Sequence, residues 1–315
     1  MKRLQNRIAE SGIALPVTVV YGIAVWLLSG LLKEGWWPQF VCYGVGVYLL
    51  IMLSHSQSLL RIRSHMVTCT FIALSSMACT LFGSLTGQVT QLFFISALLL
   101  LFTIYQNDQA TGRVFYAFTF LGIASMMHVQ ILWLVPVIWL LMAFQLMAFS
   151  WRIWTASVIG LITPYWFLSV WFVYLWDFSP LLQHFTPLWE VGTPFDYSRL
   201  TIGQWAAYGL TAVLTLTGIV HFWHRSYEDK IRIRLFYGFF TYLVLLCLLI
   251  IALLPHHYDP FIRLAFVCAS PLVAHFMALT STRITNIAFF VITALTVLVT
   301  ILNLWMPSFC LIFNA

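Results

Sequence analysis

The stretch Pro255-His256-His257-Tyr258-Asp259-Pro260-Phe261-Ile262-Arg263 compresses two imidazoles, a carboxylate and a guanidinium into a tight turn and the first turn of an apolar run. Such a set suits proton transfer and the holding of an anion, because imidazole titrates near neutrality and a guanidinium is planar and always charged. Arg263 is placed either to hold a lipid phosphate or to pair with Asp259, one helical turn before it. A metal would need three or four converging ligands with supporting contacts. Adjacent histidines in one loop seldom both ligate one ion, and His65 with Cys69 lacks a third ligand, so no metal is assigned. The sequence has no serine-histidine-acid constellation, phosphate loop or HExxH, so it names no nucleophile and implies no cofactor. The six cysteines lie in or beside apolar stretches without any CxxC and read as small packing residues.

What must position these groups is a set of apolar runs. Of 315 residues, 62% are hydrophobic and only 8% are charged, where an ordinary soluble domain has about a quarter charged. No hydrophilic stretch is long enough to fold alone, which excludes a catalytic domain outside the membrane. Runs approaching the ~20 apolar residues of a membrane helix occur at 13–32, 39–54, 67–82, 91–105, 114–128, 131–149, 153–176, 204–224, 235–254, 261–280 and 284–305. The fold class expected is all-α, a single integral-membrane bundle over 1–315 with about eleven spans. One helix over all of 114–149 would exceed any bilayer core, so two spans meeting at His128-Val129-Gln130 are expected there. The basic N terminus before the first run resembles a signal sequence, but no small-x-small site follows it, so the run should stay as the first span.

Lys and Arg fix orientation by gathering in cytoplasmic connections. With the N terminus inside and eleven crossings, Lys2, Arg3, Arg7, Arg61, Arg63, Arg113, Arg152, Arg225, Lys230, Arg232, Arg234 and Arg283 fall inside, whereas only Lys33, Arg199 and Arg263 fall outside. The C terminus then faces outward. Placement at span ends makes the net charge of +6 topological and speaks against nucleic acid as a partner. Ser226 with Asp229 reads as a capping box opening the ninth span, and Asn107 or Asp108 as the cap of the fifth. Pro16, Pro136, Pro164 and Pro271 lie within spans and should kink them. No Asp, Glu, Lys or Arg falls near the middle of a span, which weighs against an ion-coupled pump. His275 lies deepest and reads as hydrogen-bonded across helices, while His55, His65, His221 and His224 read as interfacial residues of the inner ends.

The threading collects Glu34, Asp177, Glu190, Asp196 and Asp259 on the outer side, beside His128, His184, His256, His257, Arg199 and Arg263. The longest outer loop, 177–202, carries Phe178, Leu181, Leu182, Phe185, Leu188 and Trp189 at helical spacing, with Ser179-Pro180 as cap and first-turn proline. It should form a short interfacial helix ended or kinked by Pro187.

From 98 to 176 the chain runs Gln106-Asn107-Asp108-Gln109-Ala110-Thr111, Gly122-Ile123-Ala124-Ser125, Ser150-Trp151-Arg152-Ile153-Trp154 and Gly160-Leu161-Ile162-Thr163-Pro164-Tyr165. This resembles a family of uncharacterised multispan inner-membrane proteins of Bacteroidota. The order of basic inner turn, Gly-Ile-Ala span, Leu-rich span, Trp-Arg and Thr-Pro span, followed by Arg263-Leu264-Ala265 and Pro271-Leu272, is more distantly similar to GT-C superfamily membrane glycosyltransferases. That resemblance implies sugar transfer from a polyprenyl phosphate donor at the outer face, with an acidic residue of the first outer loop as base. Glu34 is the matching position, in a loop that is usually longer in the superfamily and carries Asp. The enzyme so implied would use Glu34 or Asp177 as base and Arg263 for phosphate, with Arg199, His256, His257, Asp259 and His128 lining the substrate site. The competing expectations are a noncatalytic subunit or scaffold that binds other inner-membrane proteins, and a transporter of an uncharged or lipid substrate.

Overall fold

The computed structural model describes residues 4–62, 64–176, 179–189, 193–198, 200–280 and 282–313. It is 84% helical and has no strand among these residues. The helices are α1 (Leu4–Glu10), α2 (Ala14–Leu28), α3 (Leu31–Glu34), α4 (Trp37–Gln57), α5 (Met66–Met77), α6 (Leu85–Leu101), α7 (Thr111–Met127), α8 (Val135–Phe144), α9 (Trp151–Leu175), α10 (Ser179–Phe185), α11 (Ile202–Arg225), α12 (Ile231–Leu253), α13 (Tyr258–Leu279) and α14 (Arg283–Phe313). Each apolar run of the sequence holds a helix. Among the described residues seven are long and apolar enough to cross a membrane, namely α4, α6, α9, α11, α12, α13 and α14. An eighth results if α1 and α2, which meet at 84°, count as one broken span. The remaining runs hold shorter helices: α5, α7, and α8 with the 3-10 stretch Val129–Leu134 that leads into it.

Helix α13 is the axis of the bundle, packed against α5, α6, α11, α12 and α1. Its sequence explains this, since Ala265, Ala269, Ser270, Ala274 and Ala278 are small enough for neighbouring backbones to approach. On α11, Gly218 lies against the carbonyl of Leu272, where a β-carbon would sit 2.8 Å from that oxygen.

At the ends of the helices, bonds between elements fall into two sets. One set gathers the Lys/Arg-rich connections: Gln5 Nε2 donates to Thr280 Oγ1 at 2.8 Å, Ser64 Oγ to the Ala9 carbonyl, and Gln106 N to the Leu146 carbonyl at 2.9 Å. The other gathers the opposite ends of the same helices. There Asn303 Nδ2 donates to the Met77 carbonyl at 2.7 Å and the Gly203 carbonyl at 3.1 Å, and Tyr258 donates to the Gln204 carbonyl at 3.1 Å. We call these the basic end and the far end.

Several local expectations are corrected. Ser226 does not cap α12, because its hydroxyl donates back to the Trp223 carbonyl and its backbone opens a 3-10 turn; the N-cap is Lys230, without a side-chain bond. The N-cap of α7 is Ala110, since Asn107 Oδ1 instead accepts from Gln109 N within the turn. Pro164 and Pro271 are inside α9 and α13 as expected. Pro16 and Pro136, however, sit in the first turns of α2 and α8, where the missing N–H would have had no helical partner and no kink is required. Thr201 and Gln204 form a reciprocal capping box at the start of α11.

Candidate functional site

At the far end the structure brings together five of the residues singled out by type. Asp259 and Arg263 lie one turn apart on α13, and Arg263 Nε donates to Asp259 Oδ1 at 2.6 Å. A second nitrogen of the guanidinium donates to the Leu81 carbonyl, at the end of the 3-10 turn that follows α5. Gly87 of α6 lies directly against the guanidinium, leaving no room there for a β-carbon. The Arg263 side chain is 4% exposed and its Asp259 partner 31%. Arg263 therefore acts as a rivet between α13, α5 and α6, with its donors directed into the fold.

Around this pair, His128 Nδ1 bonds Thr90 Oγ1 at 3.1 Å, and the His257 ring meets Trp133 edge-on at 5.3 Å. His257 Nε2 is buried and makes no hydrogen bond to the described residues. The His256 ring lies 5.2 Å from that of His257. Below Arg263, Tyr43, Ser75, Gln88 and Gln91 line a void of about 10 Å³, room for roughly one water. Glu34 ends α3 on an exposed surface and has no bond to this cluster. Asp177 and Arg199 lie outside the described residues. The short helix expected in the 177–202 loop is α10, which continues as a 3-10 turn containing Pro187. Its His184 and Phe185 rings lie against Tyr165 of α9.

The basic end holds a network that residue types alone did not reveal. Asp229 Oδ2 accepts from His275 Nε2 at 3.0 Å, and Asp229 Oδ1 from Arg61 Nε at 2.8 Å. The other His275 nitrogen meets His221 Nδ1 at 3.3 Å. His275 is thus bonded across helices, as its depth suggested, and His221 joins it rather than only facing the interface. Glu228 pairs with both Arg61, at 2.6 Å, and Arg225, at 2.7 Å. Arg232 donates to Gln57 Oε1 and lies over the rings of Tyr105 and Phe236. Between α4 and α5, His65 bonds His55 at 3.3 Å; partial burial and the adjacent imidazole hold its pKa below the ordinary histidine value, so it is neutral at pH 7. The sequence did hold a signal for the network, since Glu228-Asp229 is an acidic doublet in a connection whose other charges are all basic.

A further cavity belongs to neither cluster. A space of about 430 Å³ opens between α1, α2, α5, α13 and α14 in the half of the bundle nearer the basic end. Its walls include Ile8, Val17, Leu74, Val273, Met277 and Phe290, and no charged side chain. The threonine hydroxyls that reach it are met by backbone carbonyls: Thr18 donates to the Ala14 carbonyl, Thr70 to those of Met66 and, on α13, Ser270, Thr293 to Phe289 and Thr296 to Thr293. The wall thus offers hydrocarbon to an occupant. Nothing in the sequence distinguished it, because its lining has the same composition as a lipid-facing surface.

No family model, curated protein or solved structure matches this chain. Among the described residues, no three His, Cys, Asp or Glu side chains are grouped so as to hold a metal ion.

Proposed function

We propose that the chain is an eleven-span protein of the bacterial inner membrane, N terminus cytoplasmic and C terminus outside, that binds the hydrocarbon chain of a membrane lipid. The 430 Å³ apolar cavity carries this reading. It is about three times the ~150 Å³ apolar void that admits benzene, and dry apolar cavities take apolar guests. Its length supports the same occupant. Along α5 the lining runs from Met66 to Leu74, about 12 Å of helix rise, close to the ~15 Å of hydrocarbon in one leaflet. The segregation of bonded ends and of Lys and Arg supports the alternating threading. The test is retention of lipid by the full chain purified in mild detergent, read by native mass spectrometry. Ala73→Phe, which places a ring in the cavity, should lower retention severalfold; unchanged retention rejects the reading.

A second reading rests on the convergence of His128, His257, Asp259 and Arg263 at the far end. In a GT-C-like transfer from a polyprenyl-phosphate-linked sugar, these groups would line the acceptor side and Glu34 or Asp177 would serve as base. The buried, unbonded His257 Nε2 favours a polar guest there. The burial of Arg263 makes it a support of that site more than a phosphate ligand. Copurified polyprenyl phosphate, lost on His257→Leu, would support this reading; its absence from the purified protein counts against it.

A further inference from the structure

At the basic end the wall of the apolar cavity includes Ile8 of α1, a helix that turns 84° from α2. The helix is pinned there. Gln5 N donates to Asn286 Oδ1 of α14 at 3.1 Å, Gln5 Nε2 donates to Thr280 Oγ1, and Asn6 Nδ2 donates to the Thr280 carbonyl at 3.2 Å. The two helices joined there, α1 and α14, each carry an exposed arginine close in sequence to residues of the cavity wall. Arg7 precedes Ile8 and lies one turn before Ser11, both of which line the cavity. Arg283 lies one turn before Asn286 and two turns before the lining residue Phe290. Of the acids at this end, Asp229 and Glu228 pair with Arg61, Glu228 pairs also with Arg225, and Glu10 has a contact of its own, while Asp108 lies apart from α1 and α14 in the α6–α7 connection.

We infer that the occupant is an anionic glycerophospholipid of the cytoplasmic leaflet, with one acyl chain in the cavity and its phosphate between Arg7 and Arg283. This rests on the lipid-binding reading above and adds the headgroup. Surface cations next to a bilayer attract acidic lipids, and two guanidiniums flanking one apolar mouth select among lipids whose tails are identical. A zwitterionic headgroup carries an ammonium that these arginines repel.

The full chain is extracted into mild detergent from vesicles of equal parts phosphatidylglycerol and phosphatidylethanolamine with the same acyl chains. Retained lipids are then weighed by native mass spectrometry. The expected result is enrichment of phosphatidylglycerol by about fivefold for each arginine. The double variant Arg7→Gln, Arg283→Gln should bring the ratio near one without emptying the cavity, and Arg7→Lys, Arg283→Lys should largely keep the preference. Ala73→Phe should lower retention of both lipids, with Ala14→Phe as the alternative if that variant fails to fold. Equal retention of the two lipids by the unmodified protein, with the cavity variants still lowering both, overturns the headgroup inference and leaves lipid binding intact. Retention that neither cavity variant changes overturns both.

Discussion

A carboxylate as buried as Asp229, with 1% of its side chain exposed, costs several kcal/mol to desolvate unless cations or donors meet it. Here Arg61 and His275 do, one from the α4–α5 connection and one from the middle helix of the bundle. Removing the charge leaves two donors facing an amide that can satisfy only one of them well. Asp229→Asn is therefore expected to destabilise the protein by about 3 kcal/mol, the low end for breaking a buried pair because Arg61 is partly solvated and keeps Glu228. His275→Gln, which keeps a donor for the carboxylate, should cost about 1 kcal/mol. Thermal unfolding of the purified chain in one detergent at pH 7 measures both. Equal unfolding temperatures for Asp229→Asn and the unmodified protein would remove the network from the list of what holds the basic end together.

Helices α7 and α9 show how a pair of elements depends on single glycines. Gly122 faces the Leu161 carbonyl and the Pro164 ring, and Gly160 faces the Phe115 carbonyl, so the two backbones touch where side chains would hold them apart. Gly160→Leu should separate the pair and cost about 1 to 3 kcal/mol, as overpacking does in cores. Faster hydrogen exchange in α9, with α12 and α13 unchanged, is the expected signature; a uniform change across all helices would contradict it. The elements themselves were legible because runs of apolar residues have few places to go. Their ends were less so. Ser226 and Asp229 have the spacing of a capping box, yet the serine closes the preceding helix and the aspartate is drawn to Arg61 and His275, a partner 46 residues away. The far-end cluster was partly legible, since Asp259 and Arg263 sit one turn apart on one helix, whereas the contact of Arg263 with Leu81 and Gly87 depends on tertiary packing. The cavity left no trace in the sequence, because an apolar residue facing a void and one facing lipid are the same residue.

At the scale of the whole molecule, charge and packing describe the same axis. The connections that bring Arg61 to Asp229 and Gln5 to Thr280 lie at one end, and those that bring Asn303 to Gly203 and Arg263 to Leu81 lie at the other. In the threading proposed above, a membrane across this axis puts Tyr227, an exposed residue of the α11–α12 connection, in the cytoplasm. It puts Thr193, exposed in the connection between α10 and α11, outside. Cysteines introduced one at a time into a Cys310→Ser background separate the alternatives, because Cys69, Cys79, Cys247 and Cys268 are buried and Cys42 half-buried. In intact cells an impermeant maleimide should label Thr193→Cys and leave Tyr227→Cys unlabelled until the cells are opened. Labelling of Tyr227→Cys in intact cells would place the basic end outside, against the attraction of the cytoplasmic leaflet for Lys and Arg. The cavity would then open on the outer leaflet, and Arg7 and Arg283 would face lipids other than those proposed.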